Sequence, residues 1–273
     1  MSNLGTWKWL PLLLLGVFVL AACGSEEPEH ADDIVFSPEE AISIAFEDFE
    51  VGTFGDGSSL STVDSTYLVN STNEDGNRYL FGVSQDPALE LKNLRIDVTA
   101  TPRSGGEDNW YGVMCRVDTS GQGYAFLISG DGFWALARAT GRNLDFLENW
   151  QETDAINTGR ESNEISVRCV EDYLALYVNG EFVGDHNNGD ISTAGAIGLL
   201  AGGAEDNAIT VAFEDLVVTP AHFEGRPNTA TPPPASTDTP ETQTPIPQST
   251  IELAPLSPQD NNAINENQAI FGG

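Results

Sequence analysis

The sequence predicts an all-β fold, a two-sheet antiparallel β-sandwich over residues 42–222 of a 273-residue chain. Three observations predict it. Apolar residues alternate with period two through the middle of the chain, the mark of strands with one buried face. The short strand-like runs are separated by Gly, Asn and Asp clusters suited to turns. No long helical period interrupts them.

Ahead of the sandwich, residues 1–22 read as a signal peptide. Lys8 is the single charge before Glu26, and the apolar run 10–20 is too short to span a bilayer but has the length of a signal-peptide core. The run closes on Leu20-Ala21-Ala22-Cys23-Gly24-Ser25, which resembles the lipobox of bacterial lipoproteins. That resemblance implies cleavage before Cys23 and a lipid on its thiol. Several acyl chains would anchor the protein firmly. The expected location is the cell membrane, lipid-anchored and facing outside the cytoplasm. Residues 23–41, with Glu26, Glu27, Glu29, Asp32 and Asp33, read as an acidic spacer. Ser37-Pro38-Glu39-Glu40 has the form of a capping box with Pro at the first helical position, so a single helical turn is expected to lead into the sandwich.

Strands are then expected near residues 44–49, 67–69 and 79–83, and at 94–99. The run 111–117 places Val113, Cys115 and Val117 on one face. Runs 124–128 and 133–138 flank Ser129-Gly130-Asp131-Gly132 and read as a hairpin. A second hairpin joins 173–178 to 181–183 through Asn179-Gly180, a pair that accommodates the positive φ angles of a type I′ turn. Further strands are expected at 164–170, 196–201 and 209–219. Residues 223–273 are rich in Pro and Thr, with Thr231-Pro232-Pro233-Pro234 and Thr244-Pro245-Ile246-Pro247, and read as an extended, disordered tail.

Several of these runs resemble a known family. Tyr111-Gly112-Val113-Met114-Cys115-Arg116, Tyr124-Ala125-Phe126-Leu127-Ile128-Ser129, Asn163-Glu164-Ile165, Leu174-Ala175-Leu176-Tyr177-Val178-Asn179-Gly180, Gly195-Ala196-Ile197-Gly198-Leu199 and Phe213-Glu214-Asp215-Leu216-Val217-Val218 occur in the order seen in concanavalin A-like domains. About residues 45–220 resemble the laminin-G-like and 3-keto-disaccharide hydrolase-like branches of that superfamily. The resemblance implies a jelly roll of two stacked antiparallel sheets with first and last strands adjacent. It also implies that Cys115 and Cys169 pair. Independently, with Cys23 committed to lipid, those two thiols are an even pair in an oxidising compartment. One disulfide or two buried thiols would fit that count.

The chain carries 11 Lys and Arg against 42 Asp and Glu, a formal charge of −31. Such a surface repels phosphate backbones, so nucleic acid is not an expected partner. Hydrolases of the laminarinase type in the resembled superfamily carry Glu-x-Asp-x-x-Glu on one strand, and Glu152-Thr153-Asp154 lacks the third acid. His30, His186 and His222 are too scattered for a nucleophile–base system or a zinc site. No cofactor is certain. Calcium is possible, because Asp56-Gly57, residues 185–190 and Glu205-Asp206-Asn207 form oxygen-rich turns.

The candidate ligand residues are aromatic and cationic. Trp134, with Trp110 and Trp150, together with Tyr173 and Tyr177, could stack on sugar rings. If Val113, Cys115 and Val117 face the core, Arg116 points away from it; parity gives Arg168 the same outward direction and puts Arg138 on the Trp134 face. These arginines could supply a planar fork of donors. The function expected is a surface-tethered binding or adhesion module for carbohydrate, partnered by the membrane through its lipid and by a glycan. The alternatives are a glycoside or 3-keto-disaccharide hydrolase and a structural envelope protein without a small ligand.

Overall fold

The computed structural model describes residues 33–72, 79–141, 143–203 and 208–225. The signal peptide, Cys23, most of the acidic spacer, the Glu205-Asp206-Asn207 turn and the Pro/Thr-rich tail lie outside the described residues. Among the described residues the chain forms strands and two short 3-10 turns, with no α-helix. The first six strands are β1 (Ile34–Phe36), β2 (Ile42–Ile44), β3 (Gly52–Thr53), β4 (Ser59–Val63), β5 (Thr66–Ser71) and β6 (Tyr79–Val83). Next come β7 (Leu94–Ser104), β8 (Trp110–Val117), β9 (Gly123–Ser129), β10 (Phe133–Thr140) and β11 (Asn143–Glu152). The last are β12 (Asn163–Val170), β13 (Tyr173–Val178), β14 (Glu181–Asn187), β15 (Ala196–Gly202) and β16 (Ile209–Phe223).

They build two antiparallel sheets. The larger runs β14-β13-β12-β7-β16-β5-β4-β3, and the smaller runs β11-β10-β9-β8-β15-β6. The long strand β16 organises the larger sheet. One edge pairs with β7, while the other takes β5 at Ile209–Phe213, β2 at Leu216–Val218 and β1 at Ala221–Phe223. First and last strands are therefore neighbours. β1 lies in the stretch read as spacer, because three residues are too few to display a period. The turn at Pro38–Glu40 is 3-10, and Ser37 makes no side-chain cap on it. β11 also escaped the pattern: it is an edge strand with bulges against β10 and mostly solvated side chains, so its apolar residues do not alternate.

Both hairpins are present. Asn179 and Gly180 turn β13 into β14 with φ of 53° and 83°, as a type I′ turn requires. The inner faces of the two sheets share one apolar core. It includes Ile96, Val98, Ile165, Val167, Leu174, Leu176 and Phe213 from the larger sheet, and Val113, Phe126, Ile128, Leu136 and Leu199 from the smaller. Cys115 on β8 and Cys169 on β12 are disulfide-bonded across this core, with Cα atoms 6.8 Å apart.

A β-bulge corrects the parity expected for β8. Arg116 has φ of 55°, and the pairing of β8 with β15 slips between Ala196 and Gly198. The extra residue keeps both Cys115 and Arg116 pointing inward and sends Val117 to the opposite face, where it packs with Met114. A one-residue bulge reverses every side chain beyond it. Asp215, with φ of 55°, does the same in β16, so that Phe213 and Leu216 both face the core.

Candidate functional site

The six expected ligand residues separate into two groups. Arg116 belongs to the interior: it is 1% exposed, donates from Nε to Lys92 O and from Nη1 to Ile191 O (both 2.8 Å), and lies over the Tyr124 ring. Trp134 is also a core residue. A Cβ on Gly184 of β14 would come within 2.2 Å of its indole, so glycine there is what lets the ring fit between the sheets. Arg138 shares its face with Trp134, as expected, but at the sandwich edge, where it pairs with Asp190 at 2.7 Å and Asp145 at 3.3 Å.

Arg168, Tyr173 and Tyr177 do come together, on the outer face of the larger sheet. The Arg168 guanidinium lies 3.9 Å from the Tyr177 ring centroid and 5.5 Å from that of Phe36. Tyr173 and Tyr177 are nonetheless buried, in a cluster with Ile34, Val170, Ala175 and Ala221. Their rings are packed rather than presented as a stacking platform. Arg116 sits in the other sheet and points inward, so it does not join Arg168 and Tyr177 as an outward-facing donor.

The outer face of the smaller sheet is likewise filled. Trp110, Tyr79, Met114, Leu127 and Leu200 form a buried cluster, with Phe81 and Trp150 against it. The Tyr79 hydroxyl, on edge strand β6, donates to Gly141 O in the β10–β11 turn at 3.0 Å, tying one edge of the sheet to the hairpin at the other. The oxygen-rich turns serve the protein's own hydrogen bonds. Asp56 accepts from Ser58 N at 2.9 Å, Asn188 Oδ1 accepts from Tyr124 at 2.6 Å, and Asp190 faces Arg138. His186 Nδ1 meets Glu148 Oε1 at 2.8 Å, joining edge strands β14 and β11 of opposite sheets. Among the described residues no three His, Cys, Asp or Glu side chains cluster to hold a metal.

A concavity lies at one end of the sandwich, where the β7–β8, β9–β10 and β11–β12 connections meet the start of β16. It is a cleft of about 320 Å³, lined by Glu107, Asn109, Tyr111 and Arg160 together with Pro102, Ile209 and four glycines. Three loops are stitched together behind it. Gly130 N donates to Asn109 O at 3.3 Å, Gly159 N to Gly130 O at 2.7 Å, and Arg160 Nη2 to Gly105 O at 3.2 Å. Glu107 and Arg160 are exposed at the rim, while Asn109 and Tyr111 are buried at the floor.

Tyr111 is held there by Asn163. That buried amide donates from Nδ2 to the Tyr111 hydroxyl at 3.1 Å and to Asn157 O at 3.0 Å. Its Oδ1 accepts from Asn157 N and Asn179 Nδ2, both at 2.8 Å. Burial pushes the Tyr111 pKa up to about 12, against the lowering effect of the Asn163 bond. The phenol therefore keeps its proton at neutral pH. Its oxygen accepts from Asn163 at the floor of the cleft, where the side chain is buried. Tyr111 was read from the sequence as a strand residue rather than a ligand residue, and Glu107 and Arg160 did not stand out, because Gly105-Gly106-Glu107 and Thr158-Gly159-Arg160 have the composition of ordinary turns. The concentration of glycine beside single charged residues was the available signal.

No protein-family model matches the chain, and no curated protein matches it. Among solved structures it is similar to the carbohydrate-binding module CBM66 from Bacillus subtilis, with 14% identity over 62% of this chain and 93% of that one, at a TM-score of 0.48. It is also similar to a prokaryotic β-1,3-1,4-glucanase (lichenase) from a mouse hindgut metagenome, with 12% identity over 66% and 98% and a TM-score of 0.48. The chain's own strand pairing makes it a two-sheet antiparallel β-sandwich.

Proposed function

We propose that this protein is a non-catalytic saccharide-binding module, tethered outside the cytoplasm by a lipid on Cys23. The end cleft supports the binding half. Its floor offers a phenol and an amide, its rim a carboxylate and a guanidinium, a mixture of donors and acceptors suited to the hydroxyls of a sugar. The observation that carries the reading is the cleft itself, where Glu107 and Arg160 at the rim and Asn109 and Tyr111 at the floor bring four polar side chains together. At about 320 Å³ the cleft is at the small end of ligand pockets, which suits a short saccharide.

Binding is favoured over hydrolysis because, among the described residues, the lining contains a single acid, Glu107. Glycoside hydrolysis of the common kind uses two carboxyl groups flanking the scissile bond. A glycan array probed with the full chain tests the proposal, with retention on a defined saccharide expected. Silence across a broad array would instead favour a structural envelope role. The anchoring half rests on Leu20-Ala21-Ala22-Cys23. It predicts incorporation of labelled fatty acid in a bacterial host and loss of the label in Cys23→Ser; an unlabelled wild-type protein would contradict it.

A further inference from the structure

We infer that the end cleft selects a saccharide bearing a carboxylate, a uronic acid unit, through Arg160. The inference rests on the saccharide reading above and narrows it. Arginine and lysine are scarce in this chain, and acids outnumber them 42 to 11. Four of the described cations are accordingly paired with carboxylates: Lys92 with Glu171 at 2.7 Å, Arg95 with Asp97 at 2.8 Å, Arg103 with Glu214 at 3.7 Å, and Arg138 with Asp190 at 2.7 Å. Arg116 is consumed by carbonyls in the interior, and Arg168 is stacked on Tyr177.

Arg160 differs from all of them. It lines the cleft, is exposed, and among the described residues its side chain meets a backbone carbonyl, Gly105 O, through Nη2 at 3.2 Å, and no carboxylate. A guanidinium has five N–H donors in a planar fork, so one carbonyl leaves most of them for a ligand. A carboxylate is the group that matches this fork with two parallel bonds. Glu107 lines the same cleft, and no ion pair joins it to Arg160 among the described residues. Glu107 can therefore accept from a ring hydroxyl while Arg160 takes the acid group. The net charge of −31 repels an anion at long range, but screening confines that field to about 8 Å at physiological ionic strength. Arg160 thus acts as a short-range selector rather than as a means of recruitment.

The test is calorimetric titration of the full chain at about 150 mM salt with galacturonate and glucuronate oligosaccharides, each against its neutral parent sugar, for wild type, Arg160→Gln and Tyr111→Phe. Wild type is expected to prefer the acidic member by about tenfold or more, the scale of a charge-assisted pair. Arg160→Gln should abolish the preference, weakening the acidic sugar by about tenfold more than its neutral parent, whereas Tyr111→Phe should weaken both by a similar factor. Equal wild-type affinity for acidic and neutral sugars, or a preference that survives in Arg160→Gln, would overturn the uronate inference and leave the saccharide reading standing. A cooperatively melting wild-type protein that binds none of these sugars would also overturn the uronate inference, and the saccharide reading would fall only with silence across the broad array.

Discussion

Arg116 is held in the left-handed region at φ 55°, and that one backbone conformation redirects a guanidinium from solvent to the interior. Its neighbours there are the carbonyls of Lys92 and Ile191 and the ring of Tyr124. Burial lowers its pKa, opposed by the fields of Tyr124, Glu171 and Asp172. Replacing it with Met should leave two buried carbonyls without donors and cost about 2–4 kcal/mol of stability, read as a shift in urea midpoint. A loss below about 1 kcal/mol would mean that water takes over both carbonyls. Val113 and Cys115 were legible in the sequence because alternation holds up to them. Arg116 and Val117 were not, because a bulge has no signature in an apolar–polar pattern. Tyr111 was legible as a strand residue, but its role at the cleft depends on Asn163, which is 52 positions away.

At the level of strands, local signals were read well and edges poorly. Asn179-Gly180 and the Ser129–Gly132 turn both specify hairpins through residues that tolerate the required backbone. The short strands β1 and β3 and the solvated edge strand β11 carry no comparable signal, and their places follow from partners far along the chain. The disulfide is the covalent link between the sheets, joining β8 to β12 over a separation of 54 residues. Closing a loop of that size restricts the unfolded chain by about 4 kcal/mol in the chain-entropy model. Reduction should therefore lower the melting temperature by on the order of 10 °C, with strand content retained below the transition. An unchanged melting temperature with both thiols demonstrably free would remove the disulfide from the account of stability.

For the molecule as a whole, the packing of both outer faces decides where a ligand can bind. One face carries the Trp110, Tyr79 and Leu127 cluster, and the other the Tyr173, Tyr177 and Ala175 cluster. Tyr173, Tyr177 and Trp110 could serve as stacking platforms only by leaving the clusters in which they are packed. Aromatic stacking faces were the natural expectation from the sequence, since composition and parity reveal which residues share a strand face but not what covers that face. The loop end, with Glu107, Asn109, Tyr111 and Arg160, requires three connections to converge, and no local pattern encodes that convergence. The most direct test of the central claim is amide chemical-shift mapping by NMR during titration with a saccharide retained on the array. Shifts should concentrate at Gly105, Glu107, Asn109, Tyr111, Gly130, Gly159 and Arg160. Shifts confined to Phe146 and Trp150 on β11, or to Arg168 and Tyr177, with the cleft amides unmoved, would contradict it.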